Sequence, residues 1–264
     1  MQRRIYETAA DRAQGDPRLL QYTPEEEAAD EYAGAGRPWP EGPIAMLPVA
    51  QLYRRDVPLL NPPGPADLLQ VLWCPFDHPA HPRTAVFWRT AASITDALTA
   101  PPEPPAIQFP GYLPQPCVLA PEHVTEYPND LELSQELRQQ LEDCDVWRAA
   151  AADADETPGG FYSEELSVSP GWKLGGWTRW GLTDPQPRQC EVCGTELNPL
   201  LTIATREWVG ATSTWIPHED QAAPASPLDP YPAEPTKVQV ADAYDLQLYV
   251  CPVSPDHPHL DLVQ

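Results

Sequence analysis

One phrase occurs twice in this chain, and each time it dictates where a strand must end. Residues 67–79 read D-L-L-Q-V-L-W-C-P-F-D-H-P, and residues 245–258 read D-L-Q-L-Y-V-C-P-V-S-P-D-H-P. Both begin as apolar runs of strand length. Both close at Cys-Pro, where the missing proline N–H interrupts a β-ladder. Asp-His-Pro follows in each. Repetition of such a phrase predicts a duplicated architecture, with strand ends that carry a thiol and an imidazole. Chance similarity between two buried strands is the competing reading.

Proline governs what lies between. The 36 prolines far exceed ordinary usage and cannot sit inside helices or central strands. Much of the chain is therefore expected as loop, edge or extended connection. The 42% hydrophobic content suffices for a packed core in 264 residues. The expected organisation is one domain of two related halves, about 1–153 and 165–264, joined by an acidic linker.

Strands are expected over Ile44 to Val49, Leu68 to Cys74, Thr84 to Arg89, Leu200 to Thr205 and Leu246 to Cys251. Helices are expected over residues 1–12, after Thr23-Pro24, over Thr90 to Ala100, and over Ser134 to Ala152. In the last, Ser134 can cap, and Leu137, Leu141 and Cys144 share one face, which places Cys144 in the core.

The sharpest chemical motif is Cys190-Glu-Val-Cys193-Gly194. Two thiols spaced by two residues, then a glycine for the turn, form half of a zinc knuckle. A structural zinc needs four ligands, and there is no second C-x-x-C. Cys74, Cys251, His78, His81, His257 and His259 are the available donors. If both strand ends approach the knuckle, Cys74, Cys190, Cys193 and Cys251 close one structural zinc site. A metal-free hairpin turn is the plain alternative. A thioredoxin-like pair lacks the βαβ context. A catalytic zinc would draw on the loop histidines, with Asp77, Asp256 or Asp261 as base.

Gly171 to Trp180 (G-W-K-L-G-G-W-T-R-W) is the second motif. Its glycines allow turns, and its indoles supply contact area. One reading is a partner-binding groove with Lys173 as polar anchor and Trp177 and Trp180 as walls. The other is a hairpin whose rings fill the core. Phosphate-binding, nucleophile-elbow and H-E-x-x-H signatures are lacking.

The net charge of −23 repels phosphate backbones and anionic lipid, so nucleic acid and membrane are not expected partners. A basic protein is easier to accommodate. No apolar run reaches the roughly 20 residues of a membrane span. The first residues lack an apolar signal region, which points to a cytoplasmic location. Lysine occurs only at 173 and 237 against many arginines, which with the abundant alanine and proline is the pattern expected from codon bias in a GC-rich bacterial genome.

In order, K-L-G-G-W-T-R-W (173–180), C-E-V-C-G (190–194), the run around Leu201, and a closing L-Q-L-Y-V-C-P (246–252) resemble the YwqG-like bacterial family. That family is similar to the eukaryotic programmed cell death protein 2 family. Thr178 stands where the family has proline. The resemblance implies an α+β, mainly β fold: two pseudo-symmetric antiparallel sheets packed together, with few helices and long loops. The eukaryotic relatives chaperone a basic ribosomal protein. By that analogy the chain is expected to be a non-catalytic, chaperone-like interaction module for a basic client. A zinc-dependent hydrolase and an acidic immunity or inhibitor protein are the alternatives.

Overall fold

Alternation of β-branched, leucine and aromatic residues sets the strands. The computed structural model describes residues 7–8, 42–78, 81–143, 158–221, 233–241 and 243–264. Its strands are β1 (Glu7–Thr8), β2 (Leu47–Tyr53), β3 (Leu68–Asp77), β4 (Pro82–Arg89), β5 (Ala106–Ile107), β6 (Lys173–Leu174), β7 (Asn198–Ala204), β8 (Asp245–Val250) and β9 (Leu260–Val263). They form antiparallel sheets of order β1-β5, β2-β3-β4 and β6-β7-β8-β9. With few helices beside them, the class is α+β and mainly β, as expected.

The chain forms two compact units. The first comprises Met1–Pro116 with Lys237–Ala241, and the second Cys117–Thr236 with Asp242–Gln264. In the first, Leu68, Leu69, Val71 and Trp73 of β3 are fully buried. The Trp73 indole N–H donates to the Tyr112 carbonyl at 3.0 Å. In the second, Ile203, Leu246, Leu248 and Tyr249 are buried. Of the acidic linker expected between the halves, 154–157 lie outside the described residues, and the rest is the short helix Pro158–Phe161 and the turn Tyr162–Ser167 within the second unit, with Tyr162 buried.

The two repeated phrases form the central strands of two meanders with the same register. Pro48 pairs with Leu72, two residues before Cys74, and Ala50 pairs with Val71, so Val49 is left over. Pro199 pairs with Tyr249, two residues before Cys251, and Leu201 pairs with Leu248, so Leu200 is left over. The strand before each phrase, β2 or β7, thus carries one β-bulge at the same step. Leu69 and Leu246, both five residues before their cysteine, pair onward with Trp88 and Val263. The two phrases therefore share a strand-pairing pattern as well as a sequence.

Several helix expectations are corrected. Residues 90–100 hold only a 3-10 turn, Ala91–Ser93, and Leu98 is exposed. Ile94 and Leu98, which would line the apolar face of such a helix, are exposed, so no burial supports it and propensity alone does not sustain a helix. Helix α1 spans Gln135–Glu142, capped by the Ser134 hydroxyl, which accepts from Leu137 N–H at 3.2 Å. Leu137 is 47% exposed, so α1 lies on the surface. The helix expected to run through Cys144 to Ala152 instead ends at Glu142, with Asp143 in extended backbone as its C-cap, while the residues from Cys144 to 152 and the helix after Thr23 lie outside the described residues. So does most of 1–12, of which Glu7–Thr8 is strand. Among the described residues, no helix is long and apolar enough to cross a membrane.

Candidate metal centre

The C-x-x-C is the tip of a tight hairpin. Gln189 bridges Glu196, Leu197 N–H donates to the Arg188 carbonyl at 2.8 Å, and Cys190 N–H donates to the Thr195 carbonyl at 2.8 Å. Gly194 N–H then returns to the Cys190 carbonyl at 2.8 Å. Gly194 has φ of +70°, the left-handed conformation that glycine adopts without strain. The turn therefore presents both sulfurs on one side.

Two further donors meet them. Cys251 follows β8, and His257 lies in the loop that turns back into β9. Cys190 Sγ is 3.4 Å from His257 Nδ1, Cys251 Sγ is 3.3 Å from the same nitrogen, and Cys193 Sγ is 3.5 Å from Cys251 Sγ. All four donor atoms lie within 4.8 Å of one another. A tetrahedral ion with bonds of about 2.3 Å to sulfur and 2.0 Å to nitrogen spaces its ligands about 3.5–3.8 Å apart. The group is therefore already near the dimensions of a metal site. Cys190 and Cys251 are buried, His257 is half-buried and Cys193 is exposed. Beneath them Cys190, Leu197, Tyr249 and Cys251 form one apolar cluster, with Leu260 and Leu262 packed against it.

Electrostatics suits metal binding at the exposed position. The Thr195 hydroxyl and N–H, with the neighbouring Cys251 and Cys190 thiols, hold Cys193 down to about 6, well below an ordinary thiol. Burial pushes Cys251 up, opposed by the N–H groups of Ser254 and Val253. A bound cation would draw both into the thiolate form.

Three of the four expected thiols, Cys190, Cys193 and Cys251, come together, and His257 joins them. Cys74 does not belong to this cluster. It lies in β3 of the first unit, packed with Ile44 against buried Phe76 and Ala106, and burial pushes its thiol up. His257 was one of the available donors, and its signal was the Asp-His-Pro phrase that repeats behind Cys-Pro. His81 Nδ1 sits 3.1 Å from the Pro82 carbonyl, and His259 pairs with Asp261 at 3.4 Å.

The Gly/Trp-rich motif divides its residues between core and surface. The Lys173 ammonium donates to Glu126 Oε1 at 2.7 Å and to the Trp177 carbonyl at 2.8 Å. Glu126 also accepts from Ser169 N–H at 2.9 Å, from the Ser169 hydroxyl at 2.5 Å and from Trp177 N–H at 2.8 Å. The pair is buried, with side chains 10% and 7% exposed. Gly176, at φ +76°, lets the loop approach that carboxylate: an added Cβ would lie 2.2 Å from Glu126 Oε2. Nothing in the sequence singled out Glu126, which sits in a proline-rich stretch among many carboxylates. Trp180 is buried, with the Arg188 guanidinium 5.2 Å from its ring centre and 5.0 Å from that of Tyr249. Trp177 is 41% exposed. The Thr178 hydroxyl meets the Tyr249 hydroxyl at 2.6 Å and accepts from Arg188 at 2.5 Å. A proline at 178 could not make these bonds.

Asp245, at the start of β8, is pushed up from 3.8 to about 6 by burial, which outweighs the nearby Arg179 and Lys173 charges. A carboxyl raised in the folded state binds its proton more tightly than in the unfolded chain. Its contribution therefore favours folding below about pH 4 and is lost as pH rises through 6. Asp245→Asn is expected to raise stability at pH 7.5 by about 1–3 kcal/mol and to flatten stability between pH 4 and 6.5. Urea denaturation across that range reads both effects, and a less stable variant at pH 7.5 would refute the assignment.

No protein-family model matches this chain, and no curated protein or solved structure compared with it matches either.

Proposed function

We propose that this chain is a non-catalytic protein-interaction module whose second unit is stapled by one structural zinc ion on Cys190, Cys193, Cys251 and His257. The observation that carries the reading is the four-member donor set within 4.8 Å. Three thiolates and one imidazole suit zinc, and four protein ligands fill its tetrahedron. A hydrolytic zinc keeps one position for water, so a filled donor set weighs against the hydrolase reading. The ion would join the knuckle, the end of β8 and the loop before β9. Its role would be to hold those segments, while the buried Lys173–Glu126 pair holds the loop that presents Trp177.

The partner side rests on charge and on that indole. A net charge of −23 steers basic proteins and repels nucleic acid. Trp177 offers a large, rigid contact surface on a loop fixed through its own N–H and carbonyl. The resemblance of residues 173–180, 190–194 and 246–252 to the YwqG-like family agrees with a chaperone-like role toward a basic client. Affinity capture at about 50 mM salt is expected to recover one stoichiometric basic protein, released as salt rises toward about 500 mM. Trp177→Ala is expected to weaken that capture about tenfold or more. Recovery of no partner at low salt would contradict the proposal.

A further inference from the structure

We propose that Cys193 is a peroxide-reactive modification site, whose oxidation closes a disulfide to Cys251 and takes the centre apart. Only the closing step, release of an ion, rests on the metal reading above.

Access selects the first sulfur. Cys190 and Cys251 are buried, while Cys193 is exposed at the hairpin tip beside Val192, itself 63% exposed. A small oxidant in solvent therefore meets one of the three thiols first. Contact selects the second. Cys251 Sγ lies 3.5 Å from Cys193 Sγ. A disulfide of about 2.05 Å needs the sulfurs to close by roughly 1.5 Å. Cys193 sits in the turn that Gly194 N–H closes onto the Cys190 carbonyl, so its side chain can swing without breaking a strand ladder. Cys251 follows directly on β8 and ends at Pro252, which makes it the fixed partner.

The Cys193 thiolate takes the terminal oxygen of a hydroperoxide and becomes a sulfenic acid. The hydroperoxide is reduced to an alcohol, or to water when it is hydrogen peroxide. The Cys251 thiolate then attacks the Cys193 sulfur, the S–S bond forms, and the oxygen leaves as water after taking a proton. In sum, two thiolates, one hydroperoxide and two protons give one disulfide, one alcohol and one water. Cys190 and His257 remain, and two donors do not hold a four-coordinate ion.

The experiment uses the full chain, first assayed for bound zinc, then treated with increasing hydrogen peroxide. Thiol titration, intact mass and disulfide mapping follow the reaction. The expected result is loss of two thiols and two hydrogens per chain, with a Cys193–Cys251 crosslink. In zinc-loaded protein one ion is released per disulfide. Cys193→Ser is expected to slow thiol loss at the centre about tenfold or more, and Cys117→Ser to leave it unchanged. A dominant Cys190–Cys193 crosslink, or Cys193 oxidised to sulfinic acid without a crosslink, would overturn the proposal. The wild-type crosslink decides it even if Cys193→Ser misfolds. Protein that binds no zinc yet forms the crosslink would sink the metal reading and leave this one standing.

Discussion

Stripping zinc from the loaded protein with a strong chelator is expected to lower the melting temperature of the second unit by about 10 °C. An ion present at about 1,000 times its dissociation constant adds roughly 4 kcal/mol to the folded state. In a domain of this size each kcal/mol moves the midpoint by about 2–4 °C. The effect belongs to the second unit because all four donors lie there, on the knuckle, after β8 and before β9. Loss of the ion leaves three thiols and an imidazole facing one another over the Leu197–Tyr249 cluster with nothing to neutralise the thiolates. Cys190→Ser is expected to reproduce the loss and abolish stoichiometric zinc. Cys74→Ser is expected to leave zinc content unchanged, since Cys74 packs in a separate apolar cluster. Calorimetry with and without chelator, alongside metal analysis, checks all three. An unchanged midpoint would remove the structural role.

Glu126→Ala carries the other large effect, about 3–5 kcal/mol of lost stability. Removing one member of a buried ion pair strands the other charge, which costs far more than the intact pair contributes. Here the stranded group is Lys173. Burial already lowers its pKa, and Glu126 is the main influence that opposes this. The variant also orphans the Ser169 and Trp177 N–H groups that Glu126 accepts. The double change Glu126→Ala/Lys173→Met removes the unpaired charge and is expected to recover about half of the loss. Denaturant titration of the wild type and both variants is the test. A single variant within about 0.5 kcal/mol of wild type would show that the cradle contributes little.

How much of this was legible beforehand depends on the range of the interactions. The β3 and β8 strands are local, apolar runs that each follow an Asp, and both begin where expected; β8 stops before Cys-Pro, whereas β3 runs through Cys74-Pro75 to Asp77, so the Cys-Pro stop holds for only one of the two. The knuckle is local too, because C-x-x-C-G encodes its own turn. The repeated phrase was visible in the sequence, but the shared bulge beside Leu72 and Tyr249 needed strand pairing to be seen. The fourth ligand was ambiguous for the same reason. Cys74 and Cys251 occupy equivalent places in the two phrases, and their sequences do not state that one lies within β3 beside an apolar cluster and the other just past β8 beside the knuckle. Glu126 was invisible because it meets Lys173 across 47 residues. Strand β9 was missed because Leu260–Val263 is only half-buried and short, with an aspartate inside it. It pairs antiparallel with β8 after the loop that His257 occupies.

X-ray absorption at the zinc edge of the loaded protein tests the central claim most directly, because it counts the ligands. The account predicts three sulfurs at about 2.3 Å, one nitrogen at about 2.0 Å and no oxygen. Fewer than three sulfurs together with an oxygen ligand would mean an open site, and the chain would have to be reconsidered as a zinc enzyme.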